Sequence, residues 1–212
     1  MSRKKSQKMN DVFKFHNVFN IDSENIEPAI KSYFGNNNPI TLEIGCGKGD
    51  YTIELAKLYP DRNFIGIDYK GARVFDGAIT AVELKLPNAG FIVCGAERLG
   101  EIFTENTIEE IFITFPDPHK TRNSFRRLVN ESFLDIYRII LKKNGKINLK
   151  TDNEELYQYA LNVLKKNSHP VYFSTSDLYS QNRLSDYHFI QTKYEKEYLS
   201  EGKKIKYISF GY

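Results

Sequence analysis

Tryptophan is absent from the 212 residues, and cysteine and methionine occur only twice each. With no CxxC pair and no Cys/His cluster, neither a disulfide framework nor a structural zinc site is expected. Cys46 and Cys94 end two strands separated by a third, about 9–10 Å apart at normal strand spacing. That exceeds the roughly 7 Å Cα limit for a disulfide, so both are expected as free thiols. No apolar run approaches the roughly 20 residues of a membrane span. The opening segment MSRKKSQKMNDVF is basic and lacks the apolar stretch of a signal peptide, so a cytoplasmic protein with no membrane partner is expected. Repeats and low-complexity segments are missing too. What remains is 41% hydrophobic and 27% charged residues, ordinary for one globular domain able to bury its own core.

Neither sign of charge dominates, the net being +3, but the cations are unevenly spread. Residues 1–8 hold Arg3, Lys4, Lys5 and Lys8 without an acid, and residues 119–127 hold Lys120, Arg122, Arg126 and Arg127 without one. Such clusters suit a phosphate-bearing partner or, equally, a solvated surface. The 15 Phe and 14 Tyr residues are expected mostly in the core.

Residues 1–38 read as a basic, polar lead-in ending in the turn signal Asn36-Asn37-Asn38-Pro39. From 39 to 212 apolar strands alternate with helical stretches. Strands are expected at 40–44, 63–68, 91–94, 109–115, 146–150, 171–174 and 206–210. Helices are expected at 51–59, 71–86, 131–143 and 154–166, with Asn144–Gly145 as a C-cap of the third. This alternation predicts a seven-stranded, mainly parallel α/β sheet of Rossmann-like type with helices on both faces. Ligands in such sheets bind beyond the carboxyl ends of the strands, where strand order reverses. That directs attention to the loops at 44–50, 68–71, 94–98 and 115–127.

The first strand ends in Leu42-Glu43-Ile44-Gly45-Cys46-Gly47-Lys48-Gly49-Asp50. Glycines at alternate positions permit a tight turn and close approach of a ligand to backbone. The spacing is neither the G-x-G-x-x-G of dinucleotide sites nor the G-K-[ST] ending of a P-loop. Glu43 and Asp50 flank the loop; carboxylates there repel a pyrophosphate and attract a cation. Asp68 ends the second strand, where an acid can accept from both hydroxyls of a ribose. Glycine turn plus strand-end acid therefore points to an adenosine cofactor with a cationic rather than a phosphate tail. The arrangement resembles the class I methyltransferases, whose E/D-x-G-x-G-x-G motif holds S-adenosylmethionine, and the resemblance implies an antiparallel C-terminal strand.

The fourth strand runs into Phe115-Pro116-Asp117-Pro118-His119-Lys120-Thr121-Arg122-Asn123-Ser124-Phe125-Arg126-Arg127. Prolines on either side of Asp117 restrict the backbone that carries it, and cations suited to RNA phosphates follow. This segment resembles the FPDPWxKxRHxKRR signature of the bacterial tRNA (guanine-N7-)-methyltransferase family. Lys150-Thr151-Asp152-Asn153 and Thr192-Lys193-Tyr194-Glu195 resemble two further elements of it, so the likeness spans roughly residues 38–210. It implies methyl transfer from S-adenosylmethionine to N7 of a guanine in tRNA, within the variable loop, by a monomer or a homodimer. By position it implies cofactor contacts at Glu43, Gly45, Gly47, Gly49, Asp68, Gly95, Ala96 and Asp117. It implies a catalytic role for Asp117 and tRNA contacts at Lys120, Asp152, Thr192, Lys193, Tyr194 and Glu195. Lys120 aligns once one residue is removed after His119.

Two positions depart from the family pattern. Gly95 stands where an Asp usually meets the adenine, leaving the contact to the backbone of Gly95 and Ala96 or to Glu97; His119 replaces a Trp. His119 is not expected to bind metal, because His16, His169 and His188 lie scattered. Asp152 is equally placed to cap the helix starting near Glu154, and Glu195 can be read as one charge in a solvated run. N7 of guanine is unprotonated and needs no strong base, so alignment is the main catalytic task, with Asp117 facing the developing positive charge.

Overall fold

The computed structural model describes residues 3–22 and 26–212, with the side chains of residues 3–5 outside that description. In chain order the helices and strands are α1 (Arg3–Asp11), β1 (Val18–Phe19), α2 (Ile26–Phe34), β2 (Ile40–Ile44), α3 (Asp50–Leu58), β3 (Asn63–Asp68), α4 (Gly71–Glu83), β4 (Ala89–Val93), α5 (Leu99–Ile102), β5 (Ile108–Thr114), α6 (Glu131–Ile140), β6 (Leu141–Thr151), α7 (Glu154–Lys166), β7 (Val171–Thr175), α8 (Lys193–Ser200) and β8 (Lys206–Phe210). Short 3-10 turns fill several of the connections.

The strands form one sheet in the order β1-β4-β3-β2-β5-β6-β8-β7. All pairs from β1 to β6 are parallel, and β8 runs antiparallel to both β6 and β7. β2 is the centre: the chain moves from it through β3 and β4 to one side, then returns to β5 and β6 on the other. The strand order therefore reverses between β2 and β5, opening a crevice beyond their carboxyl ends.

The described residues make eight strands rather than the seven expected. The extra one, β1, is two residues long and pairs in parallel with Phe91 and Ile92 of β4. A pair that short carries no alternation to read, and its partner lies more than 70 positions away. Segment 1–38, read as a lead-in, thus supplies an edge strand and a helix, α2, whose Ile26, Ile30 and Phe34 enter the core.

The Asn144–Gly145 turn does not cap α6. That helix stops at Ile140 because Leu141 already pairs with Ile108 of β5. The next paired position is Glu110 with Lys146, so residues 142–145 bulge from β6, Asn144 adopting a left-handed φ of 70°. Only glycine fits next, since a Cβ at 145 would lie 2.9 Å from the Glu109 carbonyl and 2.6 Å from Leu141.

The two faces of the sheet differ. One face packs Leu42, Ile44, Ile65, Ile67, Ile111, Ile113, Ile147 and Leu149 against α2, α5, α6 and α7, as doubly covered parallel strands require. The other face packs Phe64, Phe91 and Phe112 against α3 and α4. Towards β6 and β8 that second face turns polar: Glu110, Asn148 and Tyr207 form a buried hydrogen-bonded chain, joined by Arg62. Cys46 and Cys94 are buried, unbridged thiols. Among the described residues no helix is long and apolar enough to cross a membrane.

Candidate active site

The glycine loop after β2 turns on three left-handed residues: Gly45, Gly47 and Gly49 have φ of 77°, 58° and 75°. A side chain in that region costs about 1 kcal/mol or more, which explains glycine at each position. Gly49 is also hemmed in, since a Cβ there would lie 2.7 Å from the Phe91 ring. Gly45 and Cys46 donate their amides to the Ile67 carbonyl, tying the loop to the end of β3.

Glu43 lies under this loop with 2% of its surface exposed. Oε2 accepts from the Thr52 amide (2.9 Å) and hydroxyl (2.5 Å), and Oε1 from the Thr114 hydroxyl (2.7 Å). Burial pushes its carboxyl up to about 7, although these three hydrogen bonds favour the ionised form. Asp68, also buried, accepts from the Gly47 amide (3.1 Å) and the Lys70 amide (2.8 Å). Arg73 on α4 stands 3.8 Å from it.

The Asp117 loop is held from below. Phe115 and His119, which bracket the Pro-Asp-Pro core, both have positive φ, 48° and 38°. For residues with a Cβ this is stored strain of order 1–3 kcal/mol each, and it needs surrounding contacts to persist. The Phe115 amide donates to the Lys150 carbonyl (2.8 Å). Arg127, 2% exposed, donates to the carbonyls of Pro118 (2.8 Å) and His119 (2.5 Å) and to Glu155 (2.5 Å). Arg127 thus clamps the loop from within instead of belonging to an exposed basic cluster. Asp117, Lys120, Arg122, Phe125 and Arg126 are exposed.

Thr192 caps α8, its hydroxyl accepting from the Glu195 amide (3.2 Å), and this cap brings Lys193 and Tyr194 to the crevice. Glu195 itself is sealed inside. Its carboxylate meets Lys150 Nζ at 2.8 Å and the Tyr179 hydroxyl at 2.6 Å, and both charged side chains are 1% exposed or less. Lys150 donates as well to the carbonyls of His188 (3.0 Å) and Ile190 (2.9 Å). Burial pushes Lys150 down and Glu195 up, and each opposes the other's shift through the pair. Glu195 is therefore no part of a solvated run.

Asp152 is not the cap of α7. Asn153 is, accepting from the Leu156 amide at 2.8 Å, while the Asp152 carboxylate stands 3.7 Å from Lys203. Of the basic N-terminal cluster, Lys8 pairs with Asp76, which also meets Lys48 of the glycine loop at 3.4 Å. Met1 and Ser2 and the side chains of Arg3, Lys4 and Lys5 lie outside the described residues.

Two adjoining cavities open at the crevice. The larger, 580 Å³, is lined by Asp68, Tyr69, Gly95, Ala96, Glu97, His119 and Phe125 among others. The smaller, 360 Å³, is lined by Glu43, Gly47, Asp50, Thr192, Lys193 and Tyr194 among others. Gly45, Arg73, Phe115 and Asp117 line both. Gly49, Lys120, Asp152 and Glu195 line neither: Gly49 starts α3 behind the loop, and the other three lie outside the cavity walls. Thr52, Thr114, Arg73 and Tyr179 shape this site without having drawn attention in the sequence, although Thr114 adjoins a motif at a strand end. Arg127 and Lys150 stood out there as a member of the basic cluster and of the Lys150–Asn153 element, and the structure gives them other roles.

A family model described as "Putative methyltransferase" matches residues 37–208. A tRNA (guanine-N(7)-)-methyltransferase of Christiangramia forsetii is 41% identical over 99% of this chain and 98% of its own. One from Cytophaga hutchinsonii is 39% identical over the same shares. Among solved structures, that of a 16S rRNA methyltransferase, KamB, superposes with a TM-score of 0.67 over 89% of this chain and 94% of its own; at 13% identity the likeness is one of fold.

Proposed function

Since the chain belongs to the tRNA (guanine-N7-)-methyltransferase family, we propose that it transfers a methyl group from S-adenosylmethionine to N7 of a guanine in the variable loop of tRNA, in the cytoplasm. The observation that carries this reading is Asp117, which stands on the wall common to two cavities of different character.

The larger cavity fits an adenosine. It falls within the roughly 300–1,000 Å³ of small-molecule sites. Asp68 offers the ribose a carboxylate held by two backbone amides and by Arg73, and the left-handed glycines let a ligand approach the backbone. Glu43, Asp50 and Asp117 supply negative charge near the glycine turn, where a sulfonium and an ammonium are favoured and a pyrophosphate is not. When bound, the cofactor supplies an electrophilic methyl group.

The smaller cavity takes the cationic end of the cofactor at Glu43 and Asp50, and its exposed side at Lys193 and Tyr194 suits the guanine: exposed aromatics stack on unpaired bases, and cations meet the flanking phosphates. N7 of guanine is unprotonated, so its lone pair would accept the methyl group, with the S–CH₃ bonding electrons left on the cofactor's sulfur, and the chain would have no proton to remove. The chain's task is to align the ring and offset the positive charge it gains. Asp117, held on a strained and clamped loop, is the group placed for the second. Lys120 and Arg122 are exposed for the RNA backbone, Arg126 is exposed at the wall of the larger cavity, and Asp152 lies beside Lys203 on the same C-terminal rim. Glu195 acts from inside, through the position of α8.

Incubation with methyl-labelled cofactor and unmodified tRNA, followed by mass spectrometry of the nucleosides, tests the reading. Labelled 7-methylguanosine is expected; label in another nucleoside, or none, overturns it.

A further inference from the structure

The acids at the crevice answer only part of the cofactor's tail. Glu43, Asp50 and Asp117 favour its sulfonium and ammonium, but the same charges repel the carboxylate that the tail also carries. A cation on the cavity wall has to offset that repulsion. Three cations line the smaller cavity: Lys48, Arg73 and Lys193. The Lys48 ammonium is drawn to Asp76 (3.4 Å), and Lys193 opens α8, on the side that suits the guanine. Arg73 differs from both. With Gly45, Phe115 and Asp117 it lines the larger cavity as well, and of those four residues it is the only cation.

The Arg73 guanidinium is also uncommitted. Its only charged partner among the described residues is Asp68, at 3.8 Å, beyond hydrogen-bond reach. No hydrogen bond among the described residues uses any of its side-chain donors, and 42% of the side chain is exposed. Nor does its place serve α4. A helix dipole disfavours a cation in the first turn, and α4 has neither an acid in that turn nor a capping side chain to offset it. A guanidinium presents its N–H donors in a planar fork that matches a carboxylate.

We propose that Arg73 binds the carboxylate at the methionine end of the cofactor, on the wall where the larger cavity meets the acid-lined one. The proposal rests on the cofactor reading above. It gives the acids and the arginine complementary tasks: the acids select the cationic groups, and Arg73 keeps them from rejecting the rest of the tail.

The test is calorimetric titration of the full chain with S-adenosylhomocysteine and with its decarboxylated analogue, which keeps the adenosine, the sulfur and the ammonium. The unaltered chain is expected to prefer the carboxylate compound by about tenfold or more, the worth of a charge-assisted hydrogen bond. Arg73→Gln is expected to weaken S-adenosylhomocysteine by that factor and to leave the decarboxylated compound nearly unchanged, so that the preference disappears. Arg73→Lys keeps the charge without the fork and should regain part of the preference. Lys48→Gln should leave the preference in place. If Arg73 merely steadies Asp68, its loss lowers both affinities alike and their ratio stands, which overturns the proposal. An unaltered chain that binds both compounds equally overturns it too, as does a preference lost in Lys48→Gln and kept in Arg73→Gln. In each of these cases the cofactor reading survives. If the unaltered chain binds neither compound, the cofactor reading falls and takes the proposal with it.

Discussion

Glu43 is a carboxyl group kept out of water under a loop to which a cation is expected to bind. Burial favours its protonated form, so the folded chain holds it at about 7 against an ordinary 4.5. Its contribution to stability is therefore fullest below the ordinary carboxyl range and is lost as pH rises through about 7, where the fold must carry a desolvated charge. A bound sulfonium and ammonium reverse the preference, so binding should expel a proton near neutrality. Affinity for S-adenosylmethionine is expected to rise between about pH 6 and 8 and then level off. Calorimetry in buffers of different ionisation heat would register the released proton. The Glu43→Gln variant should show neither the release nor the slope, and an unchanged profile in it would contradict this account. Asp117 is expected to act on turnover: Asp117→Asn and Asp117→Ala should lower kcat by roughly 10²–10³-fold, the scale of lost charge stabilisation, with cofactor affinity reduced less. Single-turnover methylation measures the one and titration the other.

Two elements carry the site, the glycine turn and the amino end of α8. Gly49→Ala would demand a left-handed alanine and drive a methyl into Phe91, so it should cost at least about 1–3 kcal/mol and loosen the start of α3. Gly47→Ala meets no neighbour and should cost only the conformational part, about 1 kcal/mol. Denaturant melts of the two variants should differ in that order. At α8 the Lys150–Glu195 pair ties the helix to β6. Removing one partner leaves a buried charge alone, so Lys150→Met should destabilise by about 3–5 kcal/mol. The double change Lys150→Met, Glu195→Leu should recover much of that in thermal melts, because the desolvation cost of both charges disappears together. Tyr179, whose hydroxyl donates to Glu195, belongs to the same unit.

At the scale of the whole molecule, the topological switch between β2 and β5 brings together loops from positions 45, 68, 95, 117 and 192. Outside the cavity walls stand Lys120 and Arg122, exposed, and at the wall of the larger cavity Arg126, whereas Arg127 is spent on the loop it clamps. The four consecutive-looking cations are thus two kinds of residue. Neutralising Lys120 or Arg122 should weaken tRNA binding and reduce the slope of log affinity against log salt by about 1 each. Arg127→Ala should instead lower stability and activity with no matching change in salt slope. Filter binding across a salt series separates these outcomes.

Much of this architecture is legible in the chain because it is set locally. Short apolar runs alternating with helical stretches specify a doubly covered parallel sheet, and both the runs and the 3.6-residue period depend on neighbouring residues alone. Likewise local are the glycine turn, the acids at the ends of β2 and β3, and the proline-bracketed Asp117. What only the tertiary structure decided concerns partners far apart in the chain. The burial of Glu195 follows from Lys150, 45 positions earlier, and no pattern around Lys193-Tyr194-Glu195-Lys196 distinguishes a sealed acid from a solvated one. β1 exists because β4 has an open edge, and α6 ends early because Leu141 finds Ile108.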